Sequence, residues 1–389
     1  MNLNLRHLRL ALAVAEGGSA SFAAAKLRIS QPAATQALAG LETSLGHALF
    51  DRDTKGLRPN KAGETVVLRL ERAFARLDPA LAAISPRLKL TATTPQLRAL
   101  IAVVDAGSVT LAAARLGLAQ PSVQRAIGQI ESEAQRPLFE RTSQGLRARR
   151  PTRDLAVAAR LAFAEIDQAR GDLAALSGGQ GERIVIGAMP LSRAAILGPA
   201  LSRWRAAHPH VPVRILDGPY DDLLRALLGG EAHFLVGALR DPQPSAEITQ
   251  QQLFLDRLCI VHRPGHPCAG RQVTREELAC ASWVIAAPGA PAHTHFTRLF
   301  GTDAALGATE TGSLILMREI LLSSDGLGLI SERQVAPEVE RGTLEVHAFR
   351  PEGTERPIGL THRTDFLPTP AQSALLAAIR DVAAEAYTV

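Results

Sequence analysis

Two short clusters of polar side chains are the residues best spaced for recognition chemistry. Gln31, Thr35 and Gln36 follow Ser30 and accompany Pro32 in ISQPAATQALAGLE, residues 29–42. Gln120, Gln124 and Arg125 surround Pro121 in LAQPSVQRAIGQIE, residues 118–131. Positions i, i+4 and i+5 share one face of a helix, so each cluster presents its amides, hydroxyl or guanidinium together. A Gln amide matches the major-groove edge of adenine, and an Arg fork matches guanine. Basic side chains lie downstream of each cluster: Arg52, Lys55 and Arg58 after the first, Arg141 and Arg147 after the second. Such residues suit backbone phosphates, which position a protein without specifying sequence.

Each cluster must sit on a helix that starts cleanly. Ser30 can cap the first, and Pro32 falls early in it, where a missing N–H is harmless. In the second copy the cap is Ala119, a change that typically costs a helix start about 0.5 to 2 kcal/mol. Upstream, Leu8, Ala11, Leu12 and Ala15 recur at helical spacing and predict a first helix. Residues 21–27 predict a short second helix, with Arg28-Ile29 as the turn. Inside the third helix Ala34, Leu38 and Leu41 point to the core. Leu49 to Arg58 reads as a small β-hairpin wing.

A shift of 89 residues superposes the whole pattern, not only the clusters. Leu8 falls on Leu97, Gly18-Ser19 on Gly107-Ser108, Ala23-Ala24-Ala25 on Ala112-Ala113-Ala114, and Gly56-Leu57-Arg58 on Gly145-Leu146-Arg147. About 20 of about 51 aligned positions are identical without a gap, and the period is too long for a solenoid unit. A whole domain is duplicated. Each copy leads into an apolar helical stretch, one from Glu64 to near Ile84 and one from Asp154 to near Leu176.

Charge follows the same division. The chain of 389 residues carries a net +5. Residues 1–153 alone hold 22 Lys and Arg against 11 Asp and Glu, so the remainder is acidic. A basic front suits a polyanion such as double-stranded DNA. No apolar run approaches the roughly 18 residues of a membrane span. The start, MNLNLRHLRLALAVAEGG, is a poor signal peptide, which points to the cytoplasm and to no membrane partner. Three cysteines, Cys259, Cys268 and Cys280, are unlike a disulfide framework.

Ser19, Phe22, Ala23-Ala24, Leu27, Ser30-Gln31-Pro32-Ala33, Leu41-Glu42, Leu45-Gly46, Leu49-Phe50, Arg52 and Ala62-Gly63 together resemble the N-terminal winged helix-turn-helix of LysR-type transcriptional regulators. The second copy resembles it through Gly107-Ser108, Ala112-Ala113, Gln120-Pro121-Ser122, Ile130-Glu131, Leu138-Phe139 and Arg141. The remainder is similar to that family's effector-binding half, and residues 217–242 to a subgroup related to regulators of galactose-binding-protein genes. The implied fold class is two α-helical winged helix-turn-helix domains with connecting helices, followed by a two-lobed α/β, periplasmic-binding-protein-like effector domain. The expected boundaries are 1–62 and 91–151 for the heads, 63–90 and 152–176 for the connecting helices, and 177–182 for a hinge. The effector domain spans 183–389, with lobe I at 183–262 and 346–389 and lobe II at 263–345.

The resemblance implies a sequence-specific DNA-binding regulator controlled by a small effector: an organic acid, a sugar or a sugar acid. It implies a homo-oligomer, leaves RNA polymerase open as a further partner, and calls for no cofactor, no metal and no enzymatic activity. Effector contacts are expected from Pro190, Ser192 and Arg193 after the first strand, and from Pro219, Tyr220, Gly237, Pro288, Gly289 and Ser313. Ser192 offers a hydroxyl and Arg193 a bidentate partner for a carboxylate. Family members ordinarily carry one head, whereas this chain has two. The connecting helices pair within the chain, or pair across a homodimer with four heads, or the second head has decayed into packing. The competing reading is a cytoplasmic small-molecule-binding protein whose second head is a packing or oligomerisation module. His262, His266 and Cys268 lack zinc-ligand spacing. Ser, His and Asp are scattered with no nucleophile elbow or phosphate loop.

Overall fold

The computed structural model describes residues 4–54, 56–143, 145–178, 183–192 and 196–385. The chain divides into two compact units, Met1–Glu182 and Arg183–Val389.

The first unit is the duplicated one. Copy one runs α1 (Leu5–Gly17), α2 (Ala20–Leu27), α3 (Gln31–Leu45), the hairpin β1 (Phe50–Asp53) and β2 (Gly56–Pro59), and the long α4 (Lys61–Ile84). A short α5 (Leu88–Thr91) leads to copy two: α6 (Thr94–Ala106), α7 (Val109–Leu116), α8 (Gln120–Ala134), β3 (Phe139–Thr142), β4 (Gly145–Ala148) and α9 (Arg150–Ser177). The long helices begin two residues ahead of the expected boundaries 63 and 152, because Asn60 caps α4 and Pro151 is accepted in the first turn of α9. Apolar stripes on all these helices merge into one core, from Leu8 and Leu38 through Leu77 to Leu97, Ile127 and Leu155. α4 packs along α9 within the chain.

The second unit holds two five-stranded sheets. Its elements are β5 (Ile184–Ala188), α10 (Pro190–Ser192), α11 (Gly198–Ala207), β6 (Val213–Leu216), α12 (Tyr220–Leu228), β7 (Phe234–Ala238), β8 (Ile248–Asp256) and β9 (Leu258–His262). There follow α13 (Arg275–Ala279), β10 (Trp283–Ala286), α14 (Pro291–Phe300), α15 (Thr302–Leu306), β11 (Thr309–Thr311) and α16 (Leu314–Ser323). The chain ends with β12 (Leu327–Ser331), α17 (Glu332–Glu340), β13 (Glu345–Val346), β14 (Arg356–Arg363) and α18 (Pro370–Glu385). The first sheet has the order β6-β5-β7-β14-β8 and the second β11-β10-β12-β9-β13. Strands buried on both faces, such as FLVGA in β7 and LGLIS in β12, form the centre of each lobe.

The expected lobe boundary moves. The sequence puts residues 258–262 in lobe I, but β9 pairs antiparallel with β12, placing Val261 opposite Gly328 in the second sheet. Val346 likewise pairs with Val261. The chain therefore changes lobes at Arg257 and returns between Val346 and Arg356, because the apolar run LCIVH completes the second core rather than the first.

Candidate DNA-reading heads and effector cleft

In head one the Ser30 hydroxyl accepts a hydrogen bond from the Ala33 N–H at 3.4 Å and starts α3. Ala34, Leu38 and Leu41 bury, leaving Ser30, Gln31, Pro32, Thr35 and Gln36 exposed along the opening turns. The Thr35 hydroxyl donates back to the Gln31 carbonyl at 3.1 Å. The wing is held from both ends. Glu42 Oε1 accepts from the Leu49 N–H at 2.7 Å, and the Leu57 N–H donates to the Gly18 carbonyl at 2.7 Å. A Cβ on Gly56, whose φ is +124°, would press into that Gly18 carbonyl, so the wing crossing demands glycine. Arg52 and Arg58 are exposed on the wing, with Arg58 loosely paired to Asp53 at 3.5 Å. Lys55 lies outside the described residues.

Head two repeats this geometry. Glu131 Oε1 accepts from the Leu138 N–H at 2.8 Å, and the Leu146 N–H donates to the Gly107 carbonyl at 2.7 Å. Gln120, Pro121, Gln124 and Arg125 are exposed over buried Val123, Ile127 and Ile130. Arg141 and Arg147 are exposed on its wing, Arg147 being paired with Glu140 at 3.1 Å. Two differences stand out. Ala119 gives α8 no side-chain cap. Where Gly63 lets α4 approach the Leu49 carbonyl closely, Thr152 instead donates its hydroxyl to the equivalent Leu138 carbonyl at 2.8 Å.

Between the lobes of the second unit lies a cleft of about 560 Å³, within the size of small-molecule sites. It opens beyond the C-terminal ends of the parallel strands, where α12, α14 and α16 begin, so helix N-termini line its rim. Pro190, Pro219, Tyr220, Pro288, Gly289 and Ser313 line it. Ser313 also caps α16 by accepting from the Leu316 N–H at 3.2 Å. Two expected residues do not line it. Ser192 is fully buried, its hydroxyl without a partner among the described residues. Gly237 lies under the Met189 side chain, which a Cβ there would strike; Met189, not Gly237, faces the cleft. Arg193 lies outside the described residues.

Sequence reasoning missed two cations that line the cleft among the described residues. Arg240 stacks its guanidinium over the Tyr220 ring, 4.1 Å from the centroid. Burial pulls its pKa below the usual arginine value, though the nearby Tyr220 and Asp221 oppose the shift. It forms no salt bridge among the described residues. The signal was its place, two residues past the apolar strand FLVGA, at the strand end where clefts form. Arg356 is bound to buried Asp256 at 2.8 Å, and Asp256 also accepts from the Ser331 hydroxyl at 2.6 Å. This triad ties together β8, β14 and β12, where the chain passes between lobes. Burial raises the pKa of the Tyr220 hydroxyl, which has no hydrogen-bond partner among the described residues.

Comparison with known proteins gives these two units one context. The family model for the LysR substrate binding domain matches residues 177–384. That for the bacterial regulatory helix-turn-helix protein, lysR family, matches twice, at 5–64 and 94–154. The chain belongs to the LysR family. LysR regulators of this kind are DNA-binding transcriptional regulators with an effector-binding domain. The HTH-type transcriptional regulator GalR of Pseudomonas putida is 33% identical over 388 residues, 98% of each chain. That relative therefore spans both heads. GbpR of Rhizobium radiobacter is 26% identical over 61% of this chain and 80% of its own. Among solved structures, ArgP of Mycobacterium tuberculosis matches with a TM-score of 0.54 at 21% identity, covering 74% of this chain and 96% of that one. CbnR complexed with its target DNA matches with a TM-score of 0.50 at 16% identity, covering 74% and 98%. At these identities the structures share the LysR fold. No helix among the described residues is long and apolar enough to cross a membrane.

Proposed function

We propose that this LysR regulator reads a two-part operator with the two unlike heads of one chain, under control of a small organic anion. The observation that carries the reading is the pairing of α4 with α9, which joins two heads whose recognition faces are both exposed. Ser30, Gln31, Pro32, Thr35, Gln36, Arg52, Lys55 and Arg58 serve one half-site; Gln120, Pro121, Gln124, Arg125, Arg141 and Arg147 serve the other. Thr35-Gln36 and Gln124-Arg125 differ in donor pattern, so the half-sites differ in sequence. The protein regulates rather than catalyses, works on DNA in the cytoplasm, and assembles further as an oligomer.

The test is a footprint on DNA beside the protein's own gene. Gln36→Ala and Arg125→Ala should each cost about 1–3 kcal/mol and relax preference at different base pairs of that footprint. If Arg125→Ala changes neither affinity nor salt slope, head two is not a reader.

For the effector, Arg240 supports an anion: a half-buried cation that forms no salt bridge among the described residues, with Asp221 acting on it only through its nearby charge, can still take a carboxylate. Met189, Leu258, Leu314, Met317, Leu329 and Ile358 give the cleft an apolar body, which suits an organic acid better than a sugar whose every hydroxyl needs a partner. Pro190, Pro219, Tyr220, Pro288, Gly289 and Ser313 complete the contacts. Titration calorimetry should find organic acids binding, with Arg240→Met weakening them tenfold or more, about 1.4 kcal/mol. Binding of neutral sugars unaffected by Arg240→Met would overturn this assignment.

A further inference from the structure

The charges between α4 and α9 are one-sided. Arg69, fully buried on α4, donates to Glu165 at 3.0 Å, to Asp172 at 2.8 Å and to Gln168 at 2.7 Å, all on α9. Arg72 and Arg76 of α4 reach Glu165 at 2.9 and 3.7 Å. In these pairs every cation stands on α4 and every anion on α9. Partners run from Asp172 back to Glu165 as Arg69 gives way to Arg76, so the helices are antiparallel. Arg76 and Glu165 are also equivalent positions of the 89-residue repeat, so their contact marks the pseudo-twofold axis.

A twofold axis makes a residue on it meet its own copy. Were α4 to pair with α4 of a second chain, Arg76 would meet Arg76, and buried Arg69 would face Arg76, Pro79 and Ala83 in place of Glu165, Gln168 and Asp172. Were α9 to pair with α9, Glu165 would meet Glu165 and Asp172 would face Ala158. Each like pair buries charge without a counter-charge, the arrangement that interfaces most strongly reject. We infer that this polar seam selects the partner: α4 accepts α9 and refuses a second α4, so heads pair as one-with-two and never as one-with-one. Charge alone also permits α4 of one chain to take α9 of another; the covalent tether, through its effective concentration, selects the chain's own. The inference rests on the reading that one chain supplies both heads.

Spin labels on the full chain test it without DNA. Cys268 and Cys280 are replaced by Ser, and Cys259 is buried. Ala39→Cys and Gly128→Cys are equivalent, exposed positions on α3 and α8. The doubly labelled chain should give one narrow distance that survives dilution with excess unlabelled chain, and the chain labelled only at Ala39→Cys should give no distance of that length. Arg69→Glu, Arg72→Glu and Arg76→Glu set like charges against Glu165 and Asp172, so the doubly labelled chain carrying them should lose the narrow distance. Adding Glu165→Arg and Asp172→Arg reverses the whole seam and should restore it. An interchain signal of that same length from the native chain labelled at Ala39→Cys alone overturns the inference. So does loss of the double-label distance on dilution, or a charge-reversed α4 that keeps the distance, or a fully reversed seam that fails to restore it. A lost second footprint with an intact distance would instead sink only the DNA reading of head two.

Discussion

At the residue scale, buried ionisable groups report how each lobe is held. His262, His266 and His347 cluster in lobe II, with ring centroids 5.1 and 5.8 Å apart, and all three are buried. His347 Nδ1 accepts from the Phe349 N–H at 3.0 Å, a role that only the unprotonated nitrogen can fill. Burial, with His262 and His266 nearby, holds its pKa below 6.5. The unfolded chain therefore binds more protons than the folded one below about pH 6.5, so stability is present above that pH and lost as pH falls through the lower folded value. Thermal unfolding of the effector domain should show its midpoint declining as the pH falls below about 6.5, and His347→Gln should flatten the decline. A decline unchanged by His347→Gln would place its origin elsewhere. Single residues were also where the sequence spoke least. Ser192 belonged to the right turn but buries its hydroxyl, and Arg240 escaped notice because nothing local distinguishes a cleft arginine from a surface one.

At the element scale, the two heads correct each other. Gly46 ends α3 at φ +72°, whereas Gln135 must take the same left-handed conformation at φ +51° to end α8. Conversely Arg28 sits at φ +54° after α2, where the second copy has Gly117. A side chain in that region costs roughly 1 kcal/mol. Gln135→Gly should therefore raise the stability of the first unit by that order, and Ala119→Ser, which restores the cap of α8, by about 0.5–2 kcal/mol. Denaturant midpoints would measure both, and their sum should be additive because the sites lie at opposite ends of α8. No gain from Ala119→Ser would mean that the Ala119 backbone and solvent already satisfy the helix start. Elements were the most legible level. Helical spacing located α1, α3 and both long helices, and the hairpin wing was read from Leu49 to Arg58, with its second copy following from the repeat. The lobe boundary was not legible, because LCIVH is equally apolar whichever sheet receives it; only pairing with β12 decides.

At the scale of the whole molecule, the duplication was readable from self-similarity, but its consequence was not. Internal and intermolecular pairing need the same apolar stripes, so the stripes on α4 and α9 could not choose between them. The choice resides in where Arg69, Arg76, Glu165 and Asp172 fall against one another, which the separate sequences of the helices do not display. A chain that carries its own pair of heads should occupy a two-part operator at one chain per site when the effector domain is kept from associating further. Mass measured on the DNA complex at low protein concentration would check this; an obligatory second chain per footprint would refute it.

The internal seam also alters how the regulator responds to scarcity. A reader assembled from two separate chains vanishes with the square of its concentration once it falls below the dimer's dissociation constant, whereas one assembled within a chain declines only in proportion. Because α4 meets α9 on the same polypeptide, the proposed reading implies that a cell left with a single copy after division would still hold a complete pair of readers.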